Sequence, residues 1–160
     1  MNIARYLTEQ RIDLDLDALL VDDASGEATE PSRDLVIEHM AELLEQSSVI
    51  VNAKKMRQEL LNSQRRTPTF VGHGLFMPHV RTLQARRLTM AVAVSRTGLD
   101  LEAPDDEPIR LVIAMVGPTY DDKQYLQVYK RLSEKLCDPE AVERVIAAEL
   151  PGEVLRALSS

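Results

Sequence analysis

Residues 69–81 contain the side chains of this sequence that are best suited to chemistry. His79 follows Pro78, and Arg81 lies two residues further along the chain. Because proline fixes its own backbone and cannot pair in the middle of a sheet, we expect His79 at the end or the edge of a strand. In an extended segment, residues i and i+2 point to the same side, so the segment predicts Arg81 beside His79.

A histidine and an arginine in this arrangement suit phosphoryl transfer. A neutral imidazole has one nitrogen lone pair that can attack phosphorus, and its ordinary pKa of about 6.5 keeps that form available at neutral pH. Arg81 offers planar donors to phosphate oxygens, and the glycines on either side of His73 could supply backbone amides as an anion-binding nest. His79 is therefore the candidate phosphoryl acceptor. The candidate phosphate-stabilising residues are Arg81, His73, Gly74 and Thr69.

Simpler interpretations of the same segment remain open. A single histidine beside an arginine is often a structural residue, and the residues alone slightly favour that interpretation. His73 and His79 could bind a metal together, but no third ligand lies near them in the sequence. The Gly-x-Gly pattern around His73 lacks the third glycine of a dinucleotide-binding motif. Residues 75–77 could be core or an apolar rim of the site in equal measure.

The overall composition limits the possible functions. The chain has 160 residues with 26 acidic and 19 basic side chains, and its formal net charge is -7. Nucleic-acid binding requires a basic surface, so this balance argues against it, whereas an acidic surface suits a basic protein partner. The single cysteine, Cys137, excludes an internal disulfide and is expected to be packed near a helix end.

The same sequence predicts a cytoplasmic protein that does not insert into a membrane. The first residues lack the apolar run of a signal peptide. The longest apolar stretch, residues 111–116, is far too short to cross a bilayer.

Capping residues and hydrophobic spacing predict where the helices begin. The predicted caps are Ser32, Asn52, Asp121 or Asp122, and Asp138. The second helix is expected to end before Thr67 and Pro68, because proline disfavours helical backbone in the residue before it. A short terminal helix is predicted after an interruption at Pro151 and Gly152, and the acidic residues 22–30 are predicted to form a mobile loop.

Two strands are predicted between these helices. Residues 88–95 alternate between two faces and are expected to turn at Thr97 and Gly98. Residues 109–116 are almost entirely apolar, as in a central strand covered on both faces, and Gly117 with Pro118 should end it. The pattern predicts an α/β protein built as a three-layer α/β/α sandwich with a mixed central sheet, in which residues 1–160 form a single domain.

The segment GHGLFMPHVR at residues 72–81 resembles the active-site signature of phosphotransferase-system enzyme IIA domains of the fructose/mannitol type. That signature is Gly-x-Gly-apolar-Ala-apolar-Pro-His, often with a basic residue shortly after. The resemblance extends over nearly the whole chain, including residues 12–16, 98–100, 108–112 and 117–132. Without attached enzyme IIB or IIC domains, the sequence most resembles the nitrogen-regulatory enzyme IIA proteins.

The resemblance implies a function for His79. It would accept a phosphoryl group from a phosphohistidine on the carrier protein HPr or on its nitrogen-branch paralogue. Sugar-type members pass the group to an enzyme IIB, whereas regulatory members bind sensor kinases or potassium-transport proteins according to their phosphorylation state. No metal and no organic cofactor is implied.

The sequence departs from the family where phosphate would be bound. Most members have a second histidine at the start of the helix after the central strand, whereas this segment contains Asp122, which would repel phosphate, and Lys123, which could compensate. A family arginine ahead of the active histidine is Ser63 here, with Arg65 and Arg66 close by. These departures support the alternative of a non-catalytic protein-binding regulatory module that has lost the phosphorelay.

Overall fold

A mixed six-stranded sheet forms the centre of the computed structural model, which describes residues 2–20 and 31–159. The strands are β1 (Ile12–Asp13), β2 (Phe70–Gly72), β3 (Leu75–Phe76), β4 (His79–Arg81), β5 (Thr89–Leu99) and β6 (Ile109–Gly117). The order across the sheet is β1-β5-β6-β3-β2, and β4 pairs with β6 further along the edge that β3 occupies. β5 and β6 are antiparallel, whereas β3 and β4 run parallel to β6.

Helices cover both faces of this sheet in the described part of the chain. They are α1 (Arg33–Leu44), α2 (Ala53–Arg66), α3 (Asp122–Leu136), α4 (Pro139–Ile146) and α5 (Pro151–Ser159). Apolar residues of α1 and α2 pack in one core cluster, and those of α3, α4 and α5 pack in the other. The three-layer α/β/α architecture expected from the sequence is therefore confirmed.

β6 is apolar except at Arg110, and its packing explains this composition. Leu111, Ile113 and Met115 belong to the cluster beneath α3–α5, whereas the residues between them belong to the cluster beneath α1 and α2. A strand covered on both faces has no solvent side that would favour polar residues. This burial holds β6 as the rigid strand on which β4 is placed.

The predicted caps begin their helices as expected. The side chains of Ser32 and Asn52 accept hydrogen bonds from the backbone amides three residues later, each at 3.1 Å. Asp121, rather than Asp122, caps α3 by accepting a 3.2 Å hydrogen bond from the amide of Gln124. Asp138 caps α4, whose first residue is a proline.

Three local predictions are wrong. β5 continues through Thr97 and Gly98 to Leu99, because an irregularity in its pairing with β6 takes up the residues expected to form a turn. Pro151 begins α5 instead of preceding it, as proline is tolerated in a first helical turn. Cys137 lies at the end of α3, but it is exposed and not packed.

Two further expectations concern the acidic loop and the absence of a membrane span. The loop predicted at residues 22–30 lies outside the described residues. Among the described helices, none has the length and hydrophobicity that a membrane span requires.

Candidate functional site

β4 presents His79 at an open edge of the sheet. His79 pairs with Met115 of β6, and the carbonyl of Pro78 accepts a 3.0 Å hydrogen bond from the amide of Met115. Within the described residues, no strand pairs with the other side of β4. Pro78 lies between β3 and β4, and both short segments pair with β6 in the same register, so they occupy one strand edge. The edge position predicted for His79 is confirmed.

The ring of His79 is held by its Nδ1 atom. Nδ1 lies 2.8 Å from the backbone carbonyl oxygen of Met77, and the residue is half-buried. A carbonyl oxygen can only accept, so Nδ1 must donate and carry the proton. The lone pair of the neutral ring is therefore on Nε2, for which the described residues provide no hydrogen-bond partner.

Two tyrosines of α3 form an aromatic wall beside this ring. The ring centroids of Tyr129 and Tyr125 lie 4.8 Å and 6.0 Å from that of His79. The Tyr125 hydroxyl is buried without a hydrogen-bond partner in the described part of the chain, and burial raises the pKa of Tyr125 above its ordinary value. Tyr125 therefore stays protonated and uncharged, which excludes it as a proton acceptor for His79.

Arg81 lies on the same side of β4 as His79. Its guanidinium carbon is 5.8 Å from the ring centroid of Tyr125, the ring that also contacts His79. The prediction that Arg81 points to the same side of β4 as His79 is therefore confirmed. Arg81 also forms an ion pair with Asp122 in the first turn of α3. An arginine that would bind phosphate is thus already occupied by a carboxylate.

Gln64 is a site residue that the sequence did not reveal. It is 2% exposed, and its Oε1 accepts hydrogen bonds from the amide and hydroxyl of Thr69 at 3.0 and 2.8 Å. Its Nε2 donates to the carbonyl of His79 at 3.4 Å. Gln64 therefore links Thr69 to β4, because it forms hydrogen bonds with both. The available signal was the spacing of Met56, Leu60 and Gln64, which places a polar residue in line with an apolar stripe.

Two of the predicted auxiliary cations line a surface pocket between β4 and α2, and His79 does not line this pocket. This pocket of about 610 Å³ is lined by Arg65, Arg66 and Arg81, together with Thr119. Arg65 forms an ion pair with Asp34 at 2.7 Å. Arg66 and Lys123 are exposed and form no ion pair within the described residues. Of the predicted auxiliary cations, Arg66 therefore lines this pocket without an ion pair, whereas Lys123 does not line it.

His73 and Gly74 lie at the other end of the strand edge. The Gly74 carbonyl accepts hydrogen bonds from the amides of Arg110 and Leu111, four residues along β6 from the partner of His79. That offset corresponds to about 13 Å. The His73 amide donates to Asp105 at 3.0 Å, and this bond lowers the pKa of Asp105. The glycine loop therefore binds a carboxylate of the chain itself and does not reach His79.

Burial decides whether residues 75–77 belong to the core or to the rim of the site. Residues 75–77 are at most 4% exposed, so they are core and not a rim of the site. Among residues 2–20 and 31–159, no three histidine, cysteine or carboxylate side chains are grouped as a metal site would require.

Comparison with known proteins identifies the family. Residues 25–160 match the model of the family described as "Phosphoenolpyruvate-dependent sugar phosphotransferase system, EIIA 2". A fructose-specific EIIA component from Haloferax volcanii is 32% identical over 90 residues, which are 56% of this chain and 58% of that protein. A fructose-specific EIIABC component from Bacillus subtilis is 24% identical over 149 residues, 93% of this chain but 22% of that protein. The chain thus spans less than two thirds of the length of these relatives.

Solved structures show the same fold. The nitrogen regulatory protein IIA-Ntr from Neisseria meningitidis superposes with a TM-score of 0.80 at 23% identity, covering 98% of each chain. Mannitol IIA from Escherichia coli superposes with a TM-score of 0.72 at 20% identity, covering 95% of this chain and 98% of that one. The family match extends over most of the sequence, and this chain therefore belongs to the EIIA type-2 family of the sugar phosphotransferase system.

Proposed function

We propose that this protein accepts a phosphoryl group on Nε2 of His79 from a phosphohistidine of HPr or its nitrogen-branch paralogue. The observation that carries the proposal is the 2.8 Å hydrogen bond between Nδ1 of His79 and the carbonyl of Met77. It fixes the tautomer in which Nε2 has the lone pair, so the ring needs no base before it reacts.

The transfer is a single exchange of nitrogen–phosphorus bonds. The Nε2 lone pair forms the new bond as the bond to the donor imidazole breaks, and the electron pair of the broken bond returns to the donor ring. His79 keeps its Nδ1 proton throughout, so the ring becomes positively charged beside the Met77 carbonyl, which accepts that proton's hydrogen bond. Because little covalent chemistry is required, positioning by β4 and charge stabilisation dominate the step.

Arg81 is the cation best placed to stabilise the transferred group. To bind phosphate it must exchange its ion pair with Asp122, which is exposed and therefore weak. Arg66 and Lys123 could add positive charge from the flanks of the site. The aromatic wall of Tyr125 and Tyr129 shields one side of the ring from water.

We further propose that residues 1–160 form one cytoplasmic IIA domain that acts without a cofactor and does not bind nucleic acid. Both core clusters pack on the same sheet, which supports a single folding unit. A related mannitol IIA from Escherichia coli has a structure in complex with phosphorylated enzyme IIB. For this chain the partners would be an enzyme IIB, or a sensor kinase or potassium-transport protein if its role is regulatory.

Incubation with enzyme I, HPr or its paralogue, and phosphoenolpyruvate tests the proposal. We expect an acid-labile phosphoryl group on the wild-type protein and on His73→Gln, which alters a histidine remote from β4. We expect none on His79→Gln. Absence of label on the wild type, or label that persists in His79→Gln, would refute the assignment.

The second candidate is a non-catalytic regulatory module that binds proteins without accepting phosphate. The observation favouring it is Asp122, which pairs with Arg81 near the position where most members of the family have a second histidine. This candidate predicts no label in the same assay and unchanged partner binding by His79→Gln.

A further inference from the structure

A second group of arginines lines a pocket of about 410 Å³ away from the site of His79. The pocket lies between the N-terminal segment, the loop after α1 and the start of β5. Arg5, Arg11 and Arg87 contribute to its lining, which contains no carboxylate among the described residues. We propose that this pocket binds a small phosphate-bearing molecule through these three guanidinium groups.

Arg11 is the strongest reason for this proposal. It is only 8% exposed, and its Nε and Nη2 atoms donate to the backbone carbonyls of Met90 and Tyr6 at 3.0 and 3.2 Å. Buried charged residues are normally paired with an opposite charge, yet Arg11 has no ion pair within the described residues. Burial also lowers the pKa of Arg11. A negatively charged ligand would supply the missing counter-charge.

Arg5 and Arg87 place two more positive charges at the same pocket. Both are exposed, and neither forms an ion pair with any described residue. Several arginines elsewhere in the described chain do have a carboxylate partner. Three unpaired guanidinium groups around one concavity repel one another, and a multivalent oxyanion removes that repulsion. Their planar donors suit the oxygens of phosphate.

The polar lining supplies further donors. Thr89 is 2% exposed, and its buried hydroxyl has no hydrogen-bond partner among the described residues. A buried hydroxyl left unpaired is uncommon and calls for an explanation, such as an ordered water or a bound ion. Ser48 and Gln124 also line the pocket. The volume is within the range of pockets that hold small molecules.

This pocket is distinct from the phosphoryl-acceptor site. Thr89 pairs with Val116 of β6, and Val116 pairs on its other side with Val80 of β4. Two strand spacings, about 10 Å, therefore separate the pocket's edge from β4. Neither Arg81 nor His79 lines it. Binding there does not require His79 to accept phosphate, so the two proposals can fail separately.

Titration with pyrophosphate at constant ionic strength, followed by calorimetry and by backbone amide NMR, tests the proposal. We expect saturable binding with a Kd of about 1 mM or tighter. The largest amide shifts should occur at residues 47–49 and 87–89. Inorganic phosphate should bind at the same residues more weakly, because it carries fewer negative charges.

Matched charge variants separate a built site from general surface attraction. The double variant Arg5→Gln/Arg87→Gln should weaken pyrophosphate binding about tenfold or more and leave the fold intact, because both side chains are exposed. The control Arg144→Gln/Arg156→Gln removes the same charge from another pocket and should retain wild-type affinity. Absence of saturable binding, equal weakening in both variants, or shifts confined to residues 77–81 would overturn the proposal.

Discussion

The ion pair between Arg81 and Asp122 allows a direct test of how charge near His79 affects its proposed phosphorylation. Asp122→Asn removes the carboxylate but keeps the size and shape of the side chain. In the unphosphorylated protein this carboxylate occupies Arg81, and after phosphoryl transfer it would repel the new dianion. Both effects oppose phosphorylation, so we expect Asp122→Asn to increase the equilibrium fraction of phosphorylated His79.

The magnitude follows from the exposure of the pair. The side chains of Arg81 and Asp122 are 42% and 64% exposed, so solvent screens their attraction strongly. Exposed pairs contribute about 0.2–1 kcal/mol. If phosphorylation breaks this pair, its removal should raise the phosphorylation equilibrium constant by up to about fivefold. The free energy of unfolding should change by less than about 1 kcal/mol.

The assay measures that equilibrium against a phosphorylated carrier protein. Wild type and variant are mixed with phosphorylated HPr, and the phosphorylated fractions are compared at low and high salt. The difference should shrink at about 1 M salt, where charges are screened within about 3 Å. Glu134→Gln is the control, because Glu134 is on the same helix and forms an exposed pair with Lys130 at 3.9 Å.

Two results would refute this reasoning. A smaller phosphorylated fraction in Asp122→Asn, with unchanged stability, would mean that Asp122 positions Arg81 for phosphate rather than competing with it. An equal rise in Glu134→Gln would mean that net charge alone controls docking of the carrier.

Three further predictions concern the support of the site and the fold. Gln64→Met should lower the free energy of unfolding by about 1–3 kcal/mol in urea titrations, because its buried hydrogen-bond partners lose their contacts, and should slow phosphorylation. Gly98→Ala should destabilise by about 1–3 kcal/mol in the same assay, since Gly98 has a φ of +87° and an added Cβ would lie 2.8 Å from Pro108. The hydrogen bond from His39 lowers the pKa of Asp13, so this carboxylate stabilises the fold above its unfolded pKa of about 3.9. Asp13→Asn should therefore lower the urea midpoint at neutral pH, with a difference that shrinks as pH falls below about 4.

Local signals in the sequence predicted the helices well. A cap such as Ser32 satisfies its own helix end with its own side chain, so the information lies within a few residues. The apolar run of β6 likewise reports burial on both faces, whichever elements provide that burial.

The sequence was less informative where residues close together in the chain lie far apart in the structure, or where distant residues are in contact. The segment from Gly72 to His79 reads as one active-site loop, but β3 is extended between its two ends and carries His73 away from His79. Gly98 was predicted to form a turn because glycine favours the positive φ that turns require. A bulge within a strand requires the same positive φ. Gln64 was missed because a glutamine on an amphipathic helix is usually exposed, and its partner strand begins many residues later.

Arg81 and Arg11 differ in the groups that balance their positive charge. This difference fits the two different roles proposed for their sites. Arg81 is exposed and has a carboxylate of its own chain to return to, so an anion bound there can leave at little cost. That property suits the proposed function, in which a phosphoryl group is accepted and then passed on. Arg11 is buried and is held only by neutral carbonyls, so an anion bound there would be released only at the cost of restoring an uncompensated buried charge. A pocket built in this way suits a ligand whose binding is independent of the proposed phosphorylation of His79.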